Sequence, residues 1–275
     1  MRDLAMDSNR NLYLDLMKKC LTNWIYGESE AKEYVPHGWF RRWFVQRLSD
    51  RGLQLTFPNR WDPEARRVGK DWPRGAHTMI GLTGLSNLQM CVEQVLENKI
   101  PGDFIETGVW RGGASIFMRA VLKAHEVRDR KVWVADSFEG LPPPNPEKYP
   151  QDRGSDLHVF RELAIPLEVV RRNFEKYDLL DDQVCFLKGW FRDTLPKAPL
   201  ERLAVIRLDG DLYESTWDAL ENLYPKLSPG GFIIVDDYGA LECCREAVKD
   251  YRKKHGITEE IVTVDWARAY WRRTA

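Results

Sequence analysis

Beyond Pro101-Gly102 the chain alternates short apolar runs with stretches of helical periodicity, and that alternation leaves few folds open. The runs are Phe104-Ile105, Val132-Trp133-Val134-Ala135, Val184-Cys185-Phe186-Leu187, Leu203-Ala204-Val205-Ile206-Arg207-Leu208 and Phe232-Ile233-Ile234-Val235. They predict a doubly wound, Rossmann-like parallel sheet of the α/β class, with helices over 114–124, 167–176, 217–223 and 242–254. Residues 260–264 and 269–272 are expected to close one sheet edge as a hairpin. Two regions follow: a helical N-terminal segment over 1–100 and the sheet domain over 101–275.

The first hundred residues carry no alternating strand signal. Leu12, Leu14, Leu16, Met17 and Leu21 suggest one helix and the stretch 85–96 another. Trp39, Trp43, Trp61 and Trp72 either wall a binding site or, as such residues more often do, pack onto the core or a partner subunit, so a homo-oligomer is expected. Lys+Arg 41 against Asp+Glu 42 gives a net charge of −1, which provides no long-range attraction for nucleic acid or an anionic membrane. The start of the chain lacks the apolar core of an export signal, and no run approaches the roughly 18 apolar residues of a membrane span. A cytoplasmic location is expected. Five scattered cysteines without a CxxC spacing argue against a disulfide framework and a zinc site.

In an open α/β sheet, ligands sit outside the carboxyl ends of the strands, so the residues just after each run are the informative ones. The first run continues Glu106-Thr107-Gly108-Val109-Trp110-Arg111-Gly112-Gly113. This is not the dinucleotide GxGxxG, and an acid at its head suits a cationic ligand better than a pyrophosphate. S-adenosylmethionine, with an ammonium and a sulfonium, is such a ligand. The second run ends at Asp136, where a nucleoside site places an acid to accept hydrogen bonds from ribose hydroxyls; the competing role is an ordinary cap. Ser137 follows it. Lys188-Gly189-Trp190-Phe191 can line an adenine ring with backbone and an aromatic face. The fourth and fifth runs end in Asp209-Gly210-Asp211 and Asp236-Asp237, which should meet at one sheet edge. Four carboxylates so placed repel one another unless a cation joins them, and a hard, oxygen-ligated ion such as Mg²⁺ resolves the conflict.

With these motifs the chain resembles the macrocin-type sugar O-methyltransferases along nearly its whole length. The segments that carry the resemblance include Leu21-Thr22-Asn23-Trp24, Asp71-Trp72-Pro73, Ala76-His77-Thr78-Met79-Ile80-Gly81, the Glu106 to Gly113 motif, Asp136-Ser137-Phe138-Glu139-Gly140-Leu141-Pro142, Gly189-Trp190-Phe191 and both acidic motifs. The resemblance implies a class I methyltransferase sheet and a donor site at Met79, Glu106, Gly108, Arg111, Asp136, Ser137, Gly189, Trp190 and Asp209. It also implies Mg²⁺ on Asp209, Asp236 and Asp237, with Asp211 as general base and Asp209 beside it in catalysis. The substrate so implied is a hydroxyl of a deoxysugar on a small glycosylated natural product.

Chelation of two neighbouring oxygens suits a sugar or a catechol alike, so a phenolic acceptor stays open, as does a non-catalytic S-adenosylmethionine-binding module. A nicotinamide dehydrogenase is disfavoured by the missing glycine pattern. The Pro- and Gly-rich stretch 139–160 is expected to cover the acceptor, and its His158 is read as a solvated loop residue. His158, His77 or a metal-bound water would take the proton if Asp211 were structural.

Overall fold

The computed structural model describes residues 2–34, 36–58 and 60–274. Its centre is a seven-stranded sheet of β3 (Asp103–Thr107), β4 (Val132–Asp136), β5 (Val184–Lys188), β6 (Leu203–Leu208), β7 (Leu227–Val235), β8 (Val262–Thr263) and β9 (Ala269–Arg272), in the order β5-β4-β3-β6-β7-β9-β8. The first five of these strands run parallel, and β9 returns antiparallel to β7 with β8 on the edge. All five expected strands are present, and the closing hairpin is there with β9 inside it. This is the class I methyltransferase architecture.

Successive residues of a strand face opposite sides of a sheet, and each side here has its own core. Phe104, Val205, Phe232 and Ile234 point to one side, where they meet α1 (Arg2–Leu21), α4 (Gly81–Glu97) and α5 (Gly113–Ala124). Ile105, Ile206, Ile233 and Val235 point to the other, against α8 (Tyr213–Leu223) and α9 (Glu242–His255). Covering on both faces is why the parallel strands read as continuous apolar runs. Every residue of α5 from Gly113 to Leu122 is buried, because the helix is covered by the sheet and again by α1 and α4.

The remaining elements are short: β1 (Ala31–Glu33), α2 (Trp39–Ser49), β2 (Thr56–Pro58), α3 (Pro63–Val68), α6 (Leu167–Glu175) and α7 (Phe191–Thr194). The antiparallel pair β1–β2 corrects the expectation of a strand-free N-terminal segment. Three-residue strands are too short to show an alternation in sequence. The apolar pattern of α1 also divides. Leu14, Met17 and Leu21, spaced for one helix face, are buried, whereas Leu12 and Leu16 are exposed on the other. No helix among the described residues is long and apolar enough to cross a membrane.

The chain moves outward from β3 through β4 to β5, then crosses back to β6 on the opposite flank of β3. Helix α5 therefore leaves on one side of the sheet and α8 on the other, opening a crevice above the carboxyl ends of β3 and β6.

Candidate functional site

That crevice is a cleft lined by the loops after β3, β4, β6 and β7, by Gly69 to Trp72, Thr78 to Ile80 and Trp190 to Arg192, and by Trp266 to Arg268. Gly108 makes the close approach possible. It has φ +82°, and a Cβ there would overlap the carbonyl of Asp209 on the neighbouring strand end. Three bulkier residues also take left-handed backbone in these loops: Trp110, Phe138 and Asp211 at φ 47°, 58° and 60°. The other non-glycine residues with this conformation, Asn23, Lys99, Glu126 and Asp178, sit just past the ends of α1, α4, α5 and α6, where helices ordinarily terminate in it. Among the described non-glycine residues, left-handed backbone away from helix ends is thus confined to the loops that form the cleft.

Asp136 accepts from Val109 N at 2.7 Å and from Phe138 N at 2.7 Å. It ties the β3 and β4 loops together rather than capping a helix, since the next element begins only at Pro150, and it also faces the cleft. Burial raises its proton affinity while the backbone amides oppose that shift. Met79, Glu106, Gly108, Ser137, Trp190 and Asp209 line the cleft as well. Two expected donor-site residues do not. Arg111 turns its guanidinium to the carbonyls of Arg74 and Ala76 and stacks on Trp110, fastening the approach to α4 onto the β3 loop. Gly189 donates its N–H to the Asp136 carbonyl at 2.9 Å, while its neighbour Trp190 lines the cleft.

The acids meet as expected, but they are not all unpaired. Arg207, fully buried in β6, donates through Nη1 to Glu106 Oε1 at 2.6 Å and Asp209 Oδ2 at 2.9 Å, and through Nη2 to Asp236 Oδ1 at 2.6 Å. Arg268 donates to the same Asp236 oxygen at 2.8 Å. Glu106 also accepts from the Ser115 hydroxyl, so both of its oxygens have protein partners. Its burial, only partly offset by Arg207, pushes its pKa up to about 7. The premise that a cation alone relieves the cluster is therefore corrected: two arginines neutralise part of it. Among the described residues no basic side chain forms an ion pair with Asp211 or Asp237, and Asp237 Oδ2 is buried without any partner. Burial, reinforced by the other acids, raises the proton affinity of both carboxyls well above normal. Asp209 is raised to about 6, first by burial and then by Asp236, with Arg207 opposing.

Carboxylate oxygens of Asp209, Asp211 and Asp237 lie within 4.8 Å of one another, while Asp236 stands outside this group, held by the arginines. Strand alternation does not bring Asp209 and Asp211 together, since β6 ends at Leu208. The left-handed turn at Asp211 does. Neither histidine competes as a proton acceptor at the cleft wall. His158 is exposed. His77 bonds the Tyr177 hydroxyl at 2.8 Å, and burial, with help from Lys176 and Arg111, drops its pKa to about 4.

The stretch 139–160 contributes Gly140, Leu141, Pro142 and Leu157 to the wall. Its Asp152, buried, accepts from Tyr213 N at 2.7 Å and Glu214 N at 3.1 Å and so caps α8 from a distance. Of the four tryptophans singled out in the N-terminal segment, only Trp72 lines the cleft; Trp61 packs edge-on to Trp24, and Trp39 and Trp43 are exposed on α2.

A profile of the family described as Macrocin-O-methyltransferase (TylF) matches residues 10–273. The chain belongs to the macrocin O-methyltransferase family. It is 56% identical over 267 residues to the 8-demethyl-8-(2,3-dimethoxy-alpha-L-rhamnosyl)-tetracenomycin-C 4'-O-methyltransferase of Streptomyces olivaceus, covering 97% of this chain and 94% of the relative. It is 51% identical over 267 residues to the mycinamicin III 3''-O-methyltransferase of Micromonospora griseorubida, covering 96% and 97%. Among solved structures, the O-methyltransferase NovP superimposes with a TM-score of 0.84 at 50% identity, over 97% of this chain and 100% of that one. This macrocin-type protein is thus an O-methyltransferase, and S-adenosylmethionine is the methyl donor that membership implies. Arg207 and Arg268 escaped the sequence reading. The first left a signal, an arginine within a wholly apolar run, because a charge in a strand covered on both faces must be paired. Arg268 left none.

Proposed function

We propose that this enzyme methylates a sugar hydroxyl of a glycosylated natural product, using a Mg²⁺ ion held by Asp209 and Asp237 together with Asp236. The observation that carries the reading is the convergence of half-buried Asp209, Asp211 and Asp237 on the cleft floor, with an orphaned buried oxygen on Asp237. An all-oxygen, partly uncompensated set of carboxylates fits a hard divalent ion that keeps sites for substrate oxygens. The names of the two relatives, one for position 4' of a rhamnosyl group and one for a 3'' position, favour a sugar over a phenol. Trp72 and Trp266, both exposed at the cleft, offer aromatic faces to a large acceptor.

When bound, the ion offsets the negative charge that develops on the acceptor oxygen as its proton leaves. Asp211 takes that proton; its place beside Asp209 and Asp237 and its raised proton affinity suit a general base. Asp136, Ser137 and Trp190 hold the nucleoside end of the donor, so that its sulfonium methyl is presented along the line of attack. Such positioning supplies up to the ~7 to 11 kcal/mol attainable from proximity. A cytoplasmic homo-oligomer completes the reading: the exposed Trp39, Phe40, Trp43 and Phe44 of α2 are surface that a second copy would cover, which sedimentation of the purified protein measures.

Incubation of glycosylated natural products with labelled donor and Mg²⁺, followed by NMR location of the new methyl, tests the acceptor class. Activity is expected to vanish in chelator and to return more fully with Mg²⁺ than with Zn²⁺; full turnover after exhaustive metal removal would contradict the ion's role. Asp136→Ala is expected to weaken S-adenosylmethionine binding by about 1.5 to 3 kcal/mol, the scale of a lost hydrogen bond to a charged group. It should also lower Tm, since the Val109 and Phe138 amides lose their acceptor. Calorimetry showing unchanged donor affinity removes Asp136 from the site.

A further inference from the structure

Arg268 lies far in sequence from every motif, yet its surroundings are shaped to its guanidinium. Nε donates to Asp236 Oδ1 at 2.8 Å, and Nη1 donates to Asp265 Oδ2 at 2.6 Å and to the Val68 carbonyl at 3.3 Å. Its side chain is 4% exposed. Two glycines leave room for it: a Cβ on Gly69 would come within 2.8 Å of Nη2, and one on Gly84 within 3.1 Å of Nε. Trp266 Nε1 donates to the same Val68 carbonyl at 2.9 Å, and the Lys70 ammonium lies 5.5 Å from the centre of the Trp266 ring. One planar cation thus joins the Gly69 to Trp72 wall of the cleft, the turn before β9, and Asp236 at the end of β7.

Asp236 Oδ1 is held from two directions, by Arg268 and by Arg207 Nη2 at 2.6 Å. Two donors on one oxygen restrain the rotation of the carboxylate, and Oδ2 takes part in neither ion pair. We propose that Arg268 is a positioning residue for the cation site: it sets the direction of the Asp236 carboxylate and couples that direction to the loop facing the acceptor. The inference rests on the Mg²⁺ reading above. It makes a prediction opposite in sign to simple electrostatics. Removing a positive charge beside a cation site should tighten ion binding if charge alone mattered, whereas loss of orientation should weaken it.

The test is calorimetric titration of Mg²⁺ into the metal-free full-length protein and its Arg268→Gln, Arg268→Lys and Asp265→Asn variants, with donor affinity and the acceptor KM and kcat measured alongside. Arg268→Gln is expected to bind Mg²⁺ about 10- to 100-fold more weakly, the usual scale for losing an outer partner of a metal ligand. Arg268→Lys keeps the charge and should not restore affinity fully, because one ammonium cannot serve Asp236, Asp265 and the Val68 carbonyl together. Asp265→Asn, which can keep its turn-capping acceptor but loosens Arg268, should move in the same direction by less. At saturating Mg²⁺ the acceptor KM should rise more than kcat falls, with donor affinity unchanged. An Arg268→Gln enzyme that binds Mg²⁺ as tightly as wild type, or more tightly, overturns the inference. If that variant does not fold, unchanged Mg²⁺ affinity in Asp265→Asn overturns it instead. A wild-type protein that binds no Mg²⁺ removes the metal reading and this inference with it.

Discussion

At saturating Mg²⁺ and acceptor, Asp211→Asn is expected to lower kcat by a factor of about 10² to 10⁴, the range for loss of a general base, while both substrates and the ion still bind. The amide keeps the shape of the carboxyl and its hydrogen-bonding capacity but cannot accept a proton. Asp209→Asn should fail differently. It weakens the ion site directly, so Mg²⁺ affinity falls and acceptor affinity falls with it. The pair is informative because the two side chains are neighbours in space, and the grouping of Asp211 with Asp209 and Asp237 also permits Asp211 to be a ligand. In that case Asp211→Asn loses Mg²⁺ affinity and excess ion recovers kcat. A variant with near-normal kcat and normal Mg²⁺ affinity shows that Asp211 does neither.

The second large effect is on stability. Arg207→Met replaces the buried guanidinium with an apolar chain and strands Glu106, Asp209 and Asp236 without their shared partner. Breaking a buried ion pair from one side costs about 3 to 5 kcal/mol, because the remaining charge stays desolvated. For a chain of this size each kcal/mol shifts Tm by about 2 to 4 °C, so a fall of roughly 6 to 20 °C is expected by calorimetry. Arg268 softens the loss only at Asp236, where it also binds. A Tm within about 2 °C of wild type would mean that the acids are protonated or hydrated in the folded protein and that Arg207 is not their principal counter-charge.

Each of these effects depends on a residue whose legibility in the sequence differs, and the reason is the range over which its partners are chosen. The sheet was readable from Val132 to Val134, from Leu203 to Leu208 and from Phe232 to Val235, because burial on both faces demands a local, uninterrupted run of apolar residues. Asp136, Asp209, Asp211, Asp236 and Asp237 were readable for a related reason: a strand's last residues fall at the ligand-binding edge wherever the strand sits in the sheet. Strand-end position gathered the four acids Asp209, Asp211, Asp236 and Asp237 at one edge, but it could not assign their neighbours. That Asp236 faces two arginines while Asp211 joins the open trio depends on a left-handed turn at Asp211 and on Arg268, which reaches Asp236 across 32 residues of chain. Likewise Arg111 lies within the Glu106 to Gly113 motif expected at the donor site, yet its guanidinium bonds the carbonyls of Arg74 and Ala76, partners 37 and 35 residues away. Periodicity and strand-end position are properties of short segments and survive in one dimension. Which charge pairs with which is settled by distances between loops that only the folded sheet brings together, and so it was decided by the tertiary structure.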